Sequence, residues 1–140
     1  MRLWHKYLIP VLPRQQLLGQ WRECCLIAKN VAEQGTPNHI LVNPIMDYPI
    51  EHFISYTRLI VREALKRGYK FNSGTFGKYM RQYNNGWFGP DVSKEQMFSK
   101  WHNRKYLIQC LANLEEKHDR GGISDEEWKL ILQFYSKIKK

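Results

Sequence analysis

The sequence predicts an all-α fold: a single compact domain of three to four helices with long loops and an extended N-terminal arm. Three observations predict it. Two long segments repeat apolar residues at three- and four-residue spacing, the pattern of an amphipathic helix. Two further segments open with capping boxes, Ser93-Lys94-Glu95-Gln96 and Ser124-Asp125-Glu126-Glu127, whose side chains can satisfy the free N–H groups of a first turn. The chain has 140 residues, a length that suits one domain, residues 1–140, around one hydrophobic core.

Residues 1–13 contain Pro10 and Pro13 and read as the arm, because proline fixes φ and biases its predecessor away from helix. Residues 14–33 form the first helix. Leu17, Leu18, Trp21, Cys24, Cys25, Ala28, Val31 and Ala32 share one face of it, and Gly35 and Pro37 end it. Residues 36–48 read as a loop with a turn at Asn43-Pro44. Pro49 suits the first turn of a second helix that runs to Arg67 and stops at Gly68. Residues 70–92, rich in Gly, Asn and aromatics, read as a long loop, a kind of segment that is often functional. Helices near 94–119 and 125–138 follow, parted by Gly121 and Gly122.

Twenty-two Lys and Arg against thirteen Asp and Glu give a net charge of +9. Such a surplus favours a polyanionic partner, nucleic acid before others. An ordinary solvated basic surface is the alternative. A membrane surface is third, since the basic residues are spread along the chain and not gathered on one amphipathic helix. Arg58, Arg62 and Lys66 make a stripe on the second helix that suits phosphates or plain solvent. No run of eighteen apolar residues occurs, and the start lacks the apolar stretch of a signal peptide. A cytoplasmic protein is therefore expected. Cys24, Cys25 and Cys110 form no CxxC, and the five histidines form no HxxxH pair. Free thiols and no metal are the expectation.

The polar side of the first helix is the most informative part. Gln15, Gly19 and Arg22 lie on one stripe; Gln16, Gln20 and Glu23 lie on the next, both opposite the apolar face. Gly19 would let a backbone approach closely. Glutamine and arginine can contact bases or phosphates, although Arg beside Glu also suits a solvated face. A carboxylate repels phosphate, so on a DNA-facing surface it needs a cationic neighbour or a catalytic role.

Met1-Arg2-Leu3-Trp4-His5 and the run from Arg14 through Leu17-Leu18-Gly19-Gln20-Trp21-Arg22-Glu23, continued by Thr36-Pro37-Asn38-His39-Ile40-Leu41-Val42-Asn43 and Glu63-Ala64-Leu65-Lys66-Arg67-Gly68-Tyr69, resemble the pyrimidine-dimer DNA glycosylases. The likeness covers residues 1–71 and is strongest to bacterial and phage members that open with Arg-Leu-Trp-His. It implies a DNA repair glycosylase with AP lyase activity. In that family the N-terminal amine attacks C1′ of the damaged nucleotide, expels the base and leaves a Schiff base; elimination then nicks the strand. Carried over, Met1 supplies the amine and Glu23 the carboxylate. An α-amine titrates near neutrality, where a lysine would need strong desolvation to match it.

Some family members lose their first methionine before a small residue. Methionine before Arg2 is normally retained, so Met1 takes the place of the reacting residue and Arg2 that of the family arginine. Gln16 stands where the family has histidine, and Leu26 where it has another arginine. The resemblance implies that Arg2 and Arg22 hold phosphates or the lesion sugar and that Gln15 and Gln16 contact DNA. His39 would line the site, and His5 is either a second DNA contact or a packed residue. Arg62 is the phosphate contact expected from the basic stripe. Trp87 and Phe88 suit base stacking or core packing, and Lys137, Lys139 and Lys140 suit general phosphate attraction. The implied partner is double-stranded DNA carrying a damaged base or an abasic site, bound by a monomer without cofactor. The competing reading is a DNA-binding module with no catalysis.

Overall fold

The computed structural model describes residues 1–72, 74–84 and 89–138. Their regular structure is all helical, without strands. It comprises α1 (Arg14–Gln34), α2 (Ile50–Lys66), α3 (Gly74–Asn84), α4 (Arg104–Asp119) and α5 (Asp125–Ile138), with 3-10 helices at Lys6–Val11 and Asn43–Asp47. The all-α expectation holds, with one α-helix beyond the three to four expected. Among the described residues no helix is long and apolar enough to cross a membrane.

α1 and α2 follow the periodicity, and α5 follows its capping box. α1 stops at Gly35 and α2 just before Gly68, whose φ values of 76° and 77° suit a residue without Cβ. The Ser124 box closes as expected: Glu127 N–H donates to Ser124 Oγ at 3.1 Å and Ser124 N–H to Glu127 Oε1 at 2.9 Å.

Three segments differ from the expectation. The arm is not extended throughout, since Lys6–Val11 winds into a 3-10 helix around Pro10. This places Leu8, Ile9 and Leu12 in the core. Arg67 closes its far end, with Nη1 donating to Leu12 O at 2.7 Å and Nη2 to Pro10 O at 3.0 Å, while Nε holds Glu63 at 2.8 Å. The 70–92 loop contains α3, because Phe76 and Met80, four apart, are buried, and α3 packs on α1. The Ser93 box makes only a turn. Phe98 takes φ 50°, and α4 starts later, at Arg104, where Asn103 Oδ1 accepts from Tyr106 N–H at 2.9 Å. There the burial of Met97, Phe98 and His102 outweighs the local helix signal.

α1 packs against α2 and α3, while α5 covers the first 3-10 helix. Trp21 meets Phe71 edge-on at 5.3 Å, and Phe76 meets Phe53 at 5.4 Å. Cys24, Cys25 and Cys110 are free thiols, Cys24 and Cys110 fully buried.

His5 and His102 form a buried pair with rings 5.1 Å apart. His5 Nε2 donates to His102 O at 2.9 Å, and His102 Nδ1 accepts from Lys6 N–H at 3.0 Å. Burial lowers His5 from 6.5 to about 4 and His102 well below 6.5. Both are neutral in the fold but take up protons in the unfolded chain once pH drops below 6.5. The unfolded state then binds more protons, so stability is full above that pH and is lost as pH falls toward 4. Urea midpoints should drop steadily from neutral pH to about 5. A flat midpoint over that range would contradict this account.

Candidate active site

The start of the chain crosses the polar side of α1, and Gln20 fastens it there. Gln20 was expected on the solvated face; it is 1% exposed. Its Oε1 accepts from Trp4 N–H at 2.7 Å and lies 3.0 Å from the Tyr56 hydroxyl. Its Nε2 donates to Arg2 O at 2.9 Å and to Glu23 Oε2 at 3.1 Å. Both amide protons are thus used, and Oε1 accepts from Trp4 N–H. Tyr56 on α2, fully buried, also donates to Trp4 O at 2.6 Å. The arm, α1 and α2 therefore share one hydrogen-bond network that joins Glu23 to the backbone of Arg2 and Trp4.

Glu23 is half-buried. Burial raises its carboxyl above the ordinary value, against the lowering effects of the N-terminal ammonium, the Arg2 backbone N–H, the Gln20 amide and His39. These four groups mark out the surroundings of the carboxylate. Met1 packs against the core, and its terminal ammonium is one of the charges that act on Glu23. A carboxyl with a raised pKa beside an amine can stabilise a cation and exchange a proton.

The other expected residues divide. Arg22 and Gln15 are exposed on α1. The Arg22 guanidinium lies along Gly19, 3.7 Å from where a Cβ would stand. Gln16 is half-buried, its Oε1 without a hydrogen-bond partner. Arg2 turns toward α4: its guanidinium lies 5.8 Å from the Trp4 ring and 6.0 Å from the Tyr106 ring, with Nη1 3.9 Å from Cys110 Sγ. In this structure it ties the arm to α4. His5 is the packed residue of the two alternatives; at 2% exposure, with both ring nitrogens bonded inside the protein, it offers DNA no surface. Arg62 is exposed on α2 and shares Asp91 with Arg58, so part of the basic stripe is neutralised from within the chain. Trp87, Phe88, Lys139 and Lys140 lie outside the described residues. Among the described residues no three His, Cys, Asp or Glu side chains gather as a metal would require.

Sequence reasoning missed Gln20 and Tyr56 as the scaffold of the site. A glutamine three residues before the carboxylate was the available signal, but helix periodicity placed it in solvent.

Comparison with curated proteins and with solved structures gives no match. The family model described as pyrimidine dimer DNA glycosylase matches residues 1–76, a stretch that runs from the N-terminal amine through α1 and α2 and includes Gln20, Glu23, His39 and Tyr56. That match covers more than half of the 140 residues, and the chain belongs to the pyrimidine dimer DNA glycosylase family.

Proposed function

We propose that this monomer excises pyrimidine dimers from double-stranded DNA and then cuts the strand at the abasic site, with the Met1 amine as nucleophile and Glu23 as proton carrier. What supports this reading is the Gln20 clamp, one amide that holds Arg2 O at 2.9 Å and Glu23 Oε2 at 3.1 Å, with the N-terminal ammonium among the charges that act on that carboxylate.

The neutral amine gives its electron pair to C1′, and the glycosidic bond breaks with its pair going to the departing base, which gains a proton. Opening of the sugar ring leaves a protonated imine between Met1 and C1′. The negative Glu23 stabilises this cation. Its carboxylate then takes a proton from C2′, the C3′–O bond breaks, and the 3′ phosphate leaves. Water hydrolyses the imine and frees the amine.

Borohydride reduces such an imine and freezes the adduct. Incubation with an abasic duplex and borohydride should give a covalent protein–DNA species, and a dimer-containing duplex should be nicked. Binding without adduct or nick would overturn the reading in favour of a DNA-binding module.

Arg22 and Arg62 should differ. Arg22→Ala, next to Glu23, should cost more affinity on damaged than on intact duplex. Arg62→Ala should weaken both alike and lower the slope of log affinity against log salt by about one, the effect of one lost phosphate contact. Salt titrations of the two variants on both duplexes check this; indistinguishable behaviour would remove α1 as the lesion-facing helix.

A further inference from the structure

We propose that Ile40, with Leu41 behind it, is a wedge that enters the DNA base stack at the lesion, an inference that rests on the glycosylase reading above. Ile40 is 83% exposed and Leu41 46%. A single exposed aliphatic residue is ordinary; this pair sits on a turn built to present it. His39 O accepts from Val42 N–H at 3.0 Å and from Asn43 N–H at 2.8 Å. Asn43 Oδ1 accepts from His39 N–H at 2.9 Å, and His39 Nδ1 accepts from Leu41 N–H at 3.2 Å. Asn38 enters the turn at φ 57°, and Asn30 on α1 holds Pro37 O at 3.2 Å. Val42 and Ile45 anchor the base of the turn in the core. The tip is therefore rigid and apolar.

Its position ties it to the site. His39, the preceding residue, acts electrostatically on Glu23. Ile40 and Leu41 edge a groove of about 330 Å³ that also holds Lys100, Trp101, Lys105 and Tyr106, with no carboxylate in its lining. The Tyr106 hydroxyl donates to Leu3 O at 2.6 Å, and its ring lies under the Arg2 guanidinium. One wall of the groove thus belongs to the scaffold that places Met1. The two lysines give the groove positive charge that suits DNA phosphates. Apolar wedges between base steps unstack and kink a duplex, which exposes sugar and base to a site that cannot otherwise reach them.

The test places 2-aminopurine beside the lesion, in separate duplexes for each side, and reads its fluorescence as protein is added. The unaltered protein should raise the signal on at least one side. Ile40→Ala should remove most of that rise and weaken binding to the damaged duplex about tenfold, through loss of buried apolar surface; Ile40→Met should restore both. Ile40 faces solvent, so these changes leave the core intact. No rise with the unaltered protein, or an equal rise with Ile40→Ala, overturns the wedge. Borohydride trapping of the unaltered protein on a single-stranded abasic oligonucleotide needs no unstacking. Failure of the wedge leaves that adduct in place, whereas failure of the glycosylase reading removes it.

Discussion

Glu23→Gln should bind duplex DNA as tightly as the unaltered protein, or more tightly, while strand cleavage slows by about 2 kcal/mol or more, some ~30-fold. The amide keeps the shape of the carboxylate, and its oxygen can still accept from Gln20 Nε2, now 3.1 Å from Glu23 Oε2. Gln20's own bonds to Trp4 N–H and Arg2 O do not involve the lost charge; the Arg2 backbone N–H alone meets an amide in place of the carboxylate. What disappears is the negative charge facing the N-terminal ammonium and the ability to carry a proton. One repulsion with phosphate disappears as well, hence the unchanged or tighter binding. Dissociation constants on a duplex with an uncleavable abasic analogue, together with single-turnover cleavage rates, separate the two effects. Equal losses in both would mark Glu23 as a structural partner; no ion pair between it and Arg22 exists among the described residues.

Acetylation of the N-terminus should abolish cleavage and borohydride trapping while DNA binding persists. The acetyl group takes the nitrogen lone pair out of chemistry but leaves the Met1 side chain and the Gln20 bond to Arg2 O in place. Lysines could substitute only if one had both a low pKa and access. Burial lowers Lys6 and Lys94 below the ordinary value. Lys6, however, is 2% exposed and donates to Met97 O at 2.5 Å and Glu95 O at 3.2 Å. Lys94 lies over the Tyr7 ring and lines a cleft with Arg62 and Glu63, away from the Glu23 network. Trapping that survives acetylation would show that a lysine is the nucleophile.

The helices most legible in the sequence were those whose signals are local. α1 and α2 carry long apolar periodicity and a stopping glycine, and α5 carries a capping box that closes. α3 was hidden because Gly74 and Gly77 depress helix propensity; packing of Phe76 and Met80 on α1 makes the helix nonetheless. The Ser93 box failed for the complementary reason, since nonlocal burial of Phe98 and His102 redirected the chain. The site shows the same division. Arg22 and Gln15 are exposed on α1, as their spacing suggested, whereas Glu23 is half-buried against Gln20. Gln20 was placed in solvent because nothing local reveals that the chain's own first residues cross that side and bury it. The same crossing buries His5 and turns Arg2 toward α4. The neighbourhood of Met1 and Glu23, twenty-two residues apart, came from the family resemblance and not from any periodicity.

In the proposed mechanism the reacting atom is the terminal nitrogen. The most direct test of this is the site of the reduced adduct. Protein trapped with borohydride on an abasic duplex can be digested, stripped of DNA and sequenced by tandem mass spectrometry. The deoxyribose remnant should reside on the α-nitrogen of Met1, with every lysine unmodified. A remnant on Nζ of Lys94, or of any other lysine, would contradict the account.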